Sequence, residues 1–274
     1  MSVIDVQDLC VSLKTKNKKQ PLVKNVSFSV SRGECLGILG ESGSGKSMTV
    51  KAFTGLLDKN FEISGKALFQ GRDLMAESRE ELRKVRGRKI AMVLQNPMTC
   101  FDPLYRIGAQ IAETFAAHMD WSKKQIHDKS IEVLERMQID DPEEVLDKYP
   151  HQLSGGMLQR IMIGIALAVE PDLLIADEPT TAIDAITQYE IMQEFLKIKN
   201  RHNTAMLFIT HDLGAVSQIA DRILVMSSGS VVDSGDFSHI LNHASDPYTK
   251  LLIEKRSAVI RRYREMLRKE KNND

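Results

Sequence analysis

Residues Gly40 to Ser47 read GESGSGKS and place glycines, a lysine and a hydroxyl at the spacing G-x-x-x-x-G-K-S. Gly40, Gly43 and Gly45 let backbone N–H groups wrap an anion without Cβ clashes. Lys46 is a mobile cation long enough to reach the outer phosphates of a nucleotide, and the Ser47 hydroxyl can ligate Mg²⁺. The apolar run from Cys35 to Leu39 reads as a buried strand ahead of the loop, and Met48 to Leu57 reads as a helix start behind it. Strand, glycine loop and helix N-terminus together make a phosphate cradle.

A kinase, a GTPase or a transport ATPase can each carry such a loop, so further residues have to narrow the chemistry. The apolar stretch Leu173 to Ala176 ends in Asp177-Glu178. Asp177 at a strand end is suited to hold Mg²⁺ through water, and Glu178 to orient or deprotonate an attacking water. Gln95 follows the strand-like Ile90–Leu94, and His211 follows Phe208-Ile209-Thr210. In an open α/β sheet the carboxyl ends of parallel strands face the ligand crevice, which places both at the site. A separate stretch, Leu153 to Arg160 (LSGGMLQR), begins a helix with Ser154 as N-cap and Gly155 and Gly156 exposing backbone N–H groups. This is a second anion site, remote in sequence from the first. One cradle and one separate phosphate reader in a single chain imply a nucleotide held between two subunits.

The elements that must position these residues follow from patterning. Ser2–Leu13 and Leu22–Val30 alternate as strands with a polar loop between them, an antiparallel sheet leading into the cradle strand. Short strands follow at Glu62–Phe69 and Lys89–Leu94. The charge-rich Arg79–Lys89 reads as a solvated helix face. Ile107–Met119, Lys123–Met137 and Pro142–Tyr149 carry helical periodicity, a helical block inserted between strands. A helix is expected over Ile186–Lys199, a strand over Ala205–Thr210 and two strands within Asp221–Asp233. A helical tail from Pro247 has an apolar stripe of Leu252, Val259, Ile260, Tyr263, Met266 and Leu267.

Composition bounds the rest. The 274 residues carry 37 Lys+Arg against 37 Asp+Glu, a zero balance that gives no electrostatic footprint for nucleic acid. Cys10, Cys35 and Cys100 are scattered and odd in number, which fits a reducing compartment without a disulfide frame. The start MSVIDVQDLC lacks the apolar core of a signal peptide. The longest apolar run, near Ile161–Val169, falls well short of the roughly 20 residues that span a bilayer.

GESGSGKS, Gln95, LSGGMLQR, LLIADEP and His211, in this order and spacing, resemble the ATP-binding subunit of an ABC transporter over residues 1 to 250. YPHQLSGGM, IADEPTTAID and DPYTK look like the ATPases of the nickel, metallophore and oligopeptide importers. The resemblance implies a RecA-like P-loop NTPase core of α/β class, with an N-terminal antiparallel β-subdomain and an inserted helical subdomain over about 96–160. It implies a C-terminal helical tail over 251–274.

By the same resemblance Gly40, Glu41, Ser42, Gly43, Ser44, Gly45, Lys46, Ser47 and Met48 bind ATP. Ser47 and Gln95 hold Mg²⁺ with Asp177, Glu178 polarises the water and His211 contacts the γ-phosphate. Ser154, Gly155 and Gly156 serve the ATP of a second ATPase subunit, either a related chain or a copy. Thr181 to Asp184 matches the loop that crosses the dimer seam, with Ile183 where the family usually has Leu. The implied partners are two transmembrane permease subunits and, through the complex, an extracytoplasmic binding protein, at the cytoplasmic face of the cell membrane. The expected cargo is nickel or a metal–chelator complex, because no Cys follows Cys100 and the chain ends soon after DPYTK. An oligopeptide or dipeptide importer is the alternative, and a soluble ABC ATPase without a permease the third reading. One departure stands out: Leu13 occupies the place where the family usually stacks an aromatic on adenine.

Overall fold

The computed structural model describes residues 2–15, 18–180 and 183–255. Two sheets organise the chain. Strands β1 (Ser2–Lys14), β2 (Lys19–Ser31), β4 (Phe61–Phe69) and β5 (Arg72–Asp73) form an antiparallel sheet in the order β2-β1-β4-β5. The second sheet runs β10-β9-β3-β8-β7-β6. It is built from β3 (Cys35–Leu39), β6 (Ile90–Val93), β7 (Leu173–Asp177), β8 (Ala205–Thr210), β9 (Arg222–Ser227) and β10 (Ser230–Gly235). Its strands pair in parallel except for the antiparallel edge β10–β9. The expected α/β architecture, with an antiparallel sheet ahead of the cradle strand and helices inserted between β6 and β7, is present.

Strand β3 is buried along its whole length, as parallel strands covered on both faces must be. Its residues divide between two apolar cores. Leu36 and Ile38 pack with α1 (Lys46–Phe53) and the antiparallel sheet, whereas Cys35 and Leu39 pack towards the helices on the other side. Gly37 makes this layering possible. A Cβ there would come within 3.0 Å of Val216 and Ala220, where α8 (Leu213–Ile219) crosses the strand.

The charge-rich segment forms α2 (Arg79–Val85), capped by the Ser78 hydroxyl. It is solvated as expected: Lys84 pairs with Glu81 at 2.6 Å, and Lys89 beyond it with Asp172 at 3.1 Å. The inserted block contains α3 (Ile107–His118), α4 (Lys123–Arg136), α5 (Pro142–Asp147) and α6 (Gly155–Ala168). Ser122 and Gln125 close a reciprocal capping box on α4, and Trp121 meets Phe115 edge-on at 5.2 Å. Helix α7 (Ala185–His202) links β7 to β8, and α9 (Phe237–His243) follows β10.

Three elements exceed what the pattern predicts: β5, α8 and α9. Strand β5, two residues long, is too short to show any alternation. The polar hairpin loop is also shorter than expected, because β1 and β2 extend to Lys14 and from Lys19. Residues 247–255 are helical and form α10. Of the apolar tail stripe only Leu252 is described; Val259, Ile260, Tyr263, Met266 and Leu267 lie outside the described residues. None of the described helices is long and apolar enough to cross a membrane.

Candidate nucleotide site

Strand register brings the chemistry together. Leu39 pairs with Thr210 and Asp177 with Ile209, so Gly40, Glu178 and His211 emerge side by side at the carboxyl ends of β3, β7 and β8. Val93 pairs with Ala176, which carries Gln95 to the same edge. These ends border a cleft of about 680 Å³, whose walls include Lys46, Ser47, Gln95, Glu178, Leu22 and Leu252. That volume lies in the range of small-molecule sites.

The cradle itself turns on Gly43 (φ 81°) and Gly45 (φ 102°), both in the left-handed region that side chains resist. Glu41, Ser42, Gly43, Gly45 and Met48 border the cleft with Lys46 and Ser47. Gly40 and Ser44 face inward instead. Ser44 is buried, and a Cβ on Gly40 would approach the Met226 carbonyl to 2.4 Å.

Each reactive side chain is held by a neighbouring group. The Lys46 ammonium donates to the Gly40 carbonyl at 2.7 Å and the Glu41 carbonyl at 2.9 Å. The Ser47 hydroxyl donates to the Asp177 carboxylate at 2.8 Å. Glu178 sits in the left-handed region (φ 51°), fixed by its N–H donating to the Ile209 carbonyl at 2.9 Å. This unusual backbone turns its carboxylate towards His211, whose Nδ1 lies 2.9 and 2.8 Å from the two oxygens. A non-glycine residue held in this region at a site is a recognised form of local strain.

Burial sets the electrostatics. It lowers the Lys46 pKa, against the pull of the Glu178 and Asp177 carboxylates, which favour the charged form. It raises the Asp177 pKa, opposed chiefly by the Ser47 hydrogen bond. The site therefore concentrates partly desolvated charge that an anion and a cation would reorganise. Among the described residues no cluster of three His, Cys, Asp or Glu could cage a metal alone. A hydroxyl, an amide and one carboxylate at a phosphate cradle match Mg²⁺ taken up together with phosphates.

The helix start expected to serve as a second anion element stands outside this cleft. Ser154 is exposed and caps α6, its hydroxyl accepting the Met157 N–H at 3.2 Å. A Cβ on Gly155 would meet nothing within 4 Å. Gly156 is half-buried in the first turn. Thr181 and Ala182 of the expected seam loop lie outside the described residues.

Sequence reasoning missed several participants. Leu22 of β2, not Leu13, lines the cleft, and Leu252 and Lys255 enter it from α10. Leu13 sits in β1 opposite Gln20 and Phe61. Gln159, fully buried, donates to the Pro179 carbonyl at 2.8 Å and so ties α6 to the segment after Glu178. Its place in LSGGMLQR was visible, but not its partner.

A phosphate cradle joined to a carboxylate–histidine pair defines a P-loop nucleotide hydrolase. The ABC transporter family model matches residues 23–181, and the chain belongs to that family as an ATP-binding, ATP-hydrolysing cassette. It is 42% identical over 249 residues to the metal-staphylopine import system ATP-binding protein of Staphylococcus aureus, covering 91% of this chain and 92% of that one. It is 44% identical to the dipeptide transport ATP-binding protein of Lactococcus lactis, over 92% of this chain and 73% of the other. Among solved structures, the dimeric post-hydrolysis state of an ATP-binding cassette bound to ADP and Pi superimposes with a TM-score of 0.78. It shares 25% identity and covers 85% of this chain and 98% of that one.

Proposed function

We propose that this chain energises an ABC importer of a metal–chelator complex or nickel, working at the cytoplasmic face of a membrane against two permease subunits and an extracytoplasmic binding protein. The observation that carries the enzymatic half is the convergence of Lys46, Ser47–Asp177 and Glu178–His211 on one cleft. The cargo rests on the 42% identity to the metal-staphylopine system across nearly the whole of both chains. The similarity to dipeptide transport ATPases supports peptides as the second reading.

In this reading ATP enters with its phosphates on the amides of Gly43 to Ser47. Lys46 leaves the Gly40 and Glu41 carbonyls for the β- and γ-phosphates. Ser47 and Gln95 would hold Mg²⁺, with Asp177 behind Ser47, and the ion would neutralise developing phosphate charge. Glu178 accepts the proton of the attacking water. His211 orients Glu178 and approaches the γ-phosphate. Ser154, Gly155 and Gly156 of a second cassette, a copy or a related chain, complete the site with helix N-terminal donors. Transport by the assembled complex, compared for Ni²⁺, metal–chelator complexes and peptides, tests the cargo. ATP-dependent uptake of peptides alone would move the chain to the second reading.

A further inference from the structure

We propose that Tyr248 is a positioning residue for the phosphate cradle, and that α10 acts as a brace holding Glu41 while Lys46 exchanges partners. The inference rests on the nucleotide reading of the cleft above.

Glu41 is the first residue after the leading glycine of the cradle, and its peptide groups are held from two directions. Its carbonyl accepts from the Lys46 ammonium at 2.9 Å. Its N–H donates to the Tyr248 hydroxyl at 2.7 Å, across a sequence separation of 207 residues. The Lys46 contact is temporary in the proposed mechanism, because that ammonium has to turn to the phosphates. The Tyr248 contact then remains as the side-chain fixing of this end of the loop.

Tyr248 is well placed to act as a fixed point. Its ring is half-buried against the helical-side core. Its backbone N–H donates to the Asp246 carboxylate at 2.8 Å, which caps α10. The start of α10 is fastened in turn to the edge strand β10. Asp233 accepts from the Ser245 N–H at 3.1 Å, the Ser245 hydroxyl at 2.8 Å and the Asp246 N–H at 3.1 Å. A continuous run of hydrogen bonds thus leads from β10 through Asp233, the Ser245–Asp246 turn and Tyr248 to the cradle. One turn further along α10, Leu252 faces the cleft that Leu22 borders from β2. Lys255 approaches Glu41 at 3.7 Å, but both side chains are exposed, so this pair adds little. Preorganised donors bind an anion more tightly than donors that must first be ordered.

Equilibrium binding of ATP–Mg²⁺ to the full chain, beside its nucleotide-free melting temperature, tests the brace. Tyr248→Phe keeps the ring and its packing and removes the hydroxyl. It should raise the ATP dissociation constant about 3- to 10-fold, with the melting temperature lowered by no more than a few degrees, the range for one lost hydrogen bond. Asp233→Asn, remote from the cleft, should raise it in the same direction by loosening the start of α10. An unchanged dissociation constant in Tyr248→Phe, with or without a lower melting temperature, would overturn the brace and leave the nucleotide site standing. A wild-type chain that fails to bind ATP would instead overturn the reading on which the brace rests.

Discussion

The cradle and the Ser154 helix start, which we propose binds a second anion, differ in what their own chain supplies. In the cradle cleft Lys46 is held by loop carbonyls, Ser47 by Asp177 and Glu178 by His211. At the start of α6 the Ser154 hydroxyl satisfies one N–H of the first turn and faces outward, with open space beside Gly155. A helix N-terminus carries about half a positive charge and several N–H groups without intrahelical partners. The first element is a walled pocket with its charges prearranged. The second, on the proposed reading, is half a pocket whose other half comes from another molecule. On that reading the split accounts for one chain carrying both, so far apart in its sequence.

The comparison breaks most readily at the cradle. Lys46→Ala should abolish hydrolysis and sharply weaken ATP binding, since among the described residues no other cation lining the cleft is as buried. Binding of labelled ATP at wild-type strength would contradict the cradle assignment. Glu178→Gln should retain ATP binding and lose on the order of 10²-fold or more in kcat, because an amide cannot accept the proton. An ATP-trapped dimer should accumulate and be visible by light scattering. Ser154→Arg sharpens the contrast from the other side. It should spare ATP binding by its own cradle and disable hydrolysis in the partner's. Mixed with Lys46→Ala chains of a self-pairing protein, it should restore part of the activity, because one of the two sites is then intact.

Two smaller effects separate site from scaffold. Asp177 is buried with a raised pKa, so its charged form costs the nucleotide-free fold at neutral pH. Asp177→Asn should therefore raise the urea midpoint at pH 7 while hydrolysis is lost, the trade-off expected of a site residue. Asp172 behaves oppositely. Burial pushes its pKa up, but Lys89 and Arg32, each at 3.1 Å, bring it below the ordinary carboxylate value. A carboxylate lowered in the fold stabilises it above the unfolded pKa, and that contribution is lost as pH falls through the folded one. Asp172→Asn should flatten the acid side of the stability profile, measured by urea melts between about pH 5 and pH 3.

The extent to which the sequence foretold this site depends on the range of the interactions. GESGSGKS, Asp177-Glu178 and the Ser154 cap are local: a few adjacent residues fix both the backbone and the chemistry, so they read directly from the sequence. His211 and Gln95 were legible because an apolar strand precedes each and parallel strands end on one edge. Leu22, Tyr248 and Leu252 were not, because only tertiary packing brings β2 and α10 against the cradle. Neither pattern nor propensity marks a tyrosine whose partner is an amide at the opposite end of the chain. The left-handed turn at Glu178 was hidden for a related reason, since the Ile209 carbonyl that fixes it belongs to a neighbouring strand.

The central claim, that hydrolysis requires the cradle of one cassette and the Ser154 helix of another, is tested most directly by the hydrolysis rate of wild-type chain kept demonstrably monomeric, set against that of the assembled transporter. The monomer should bind ATP and turn it over slowly, with the rate rising as cassettes pair. Hydrolysis at the full rate by the monomer would contradict the composite site.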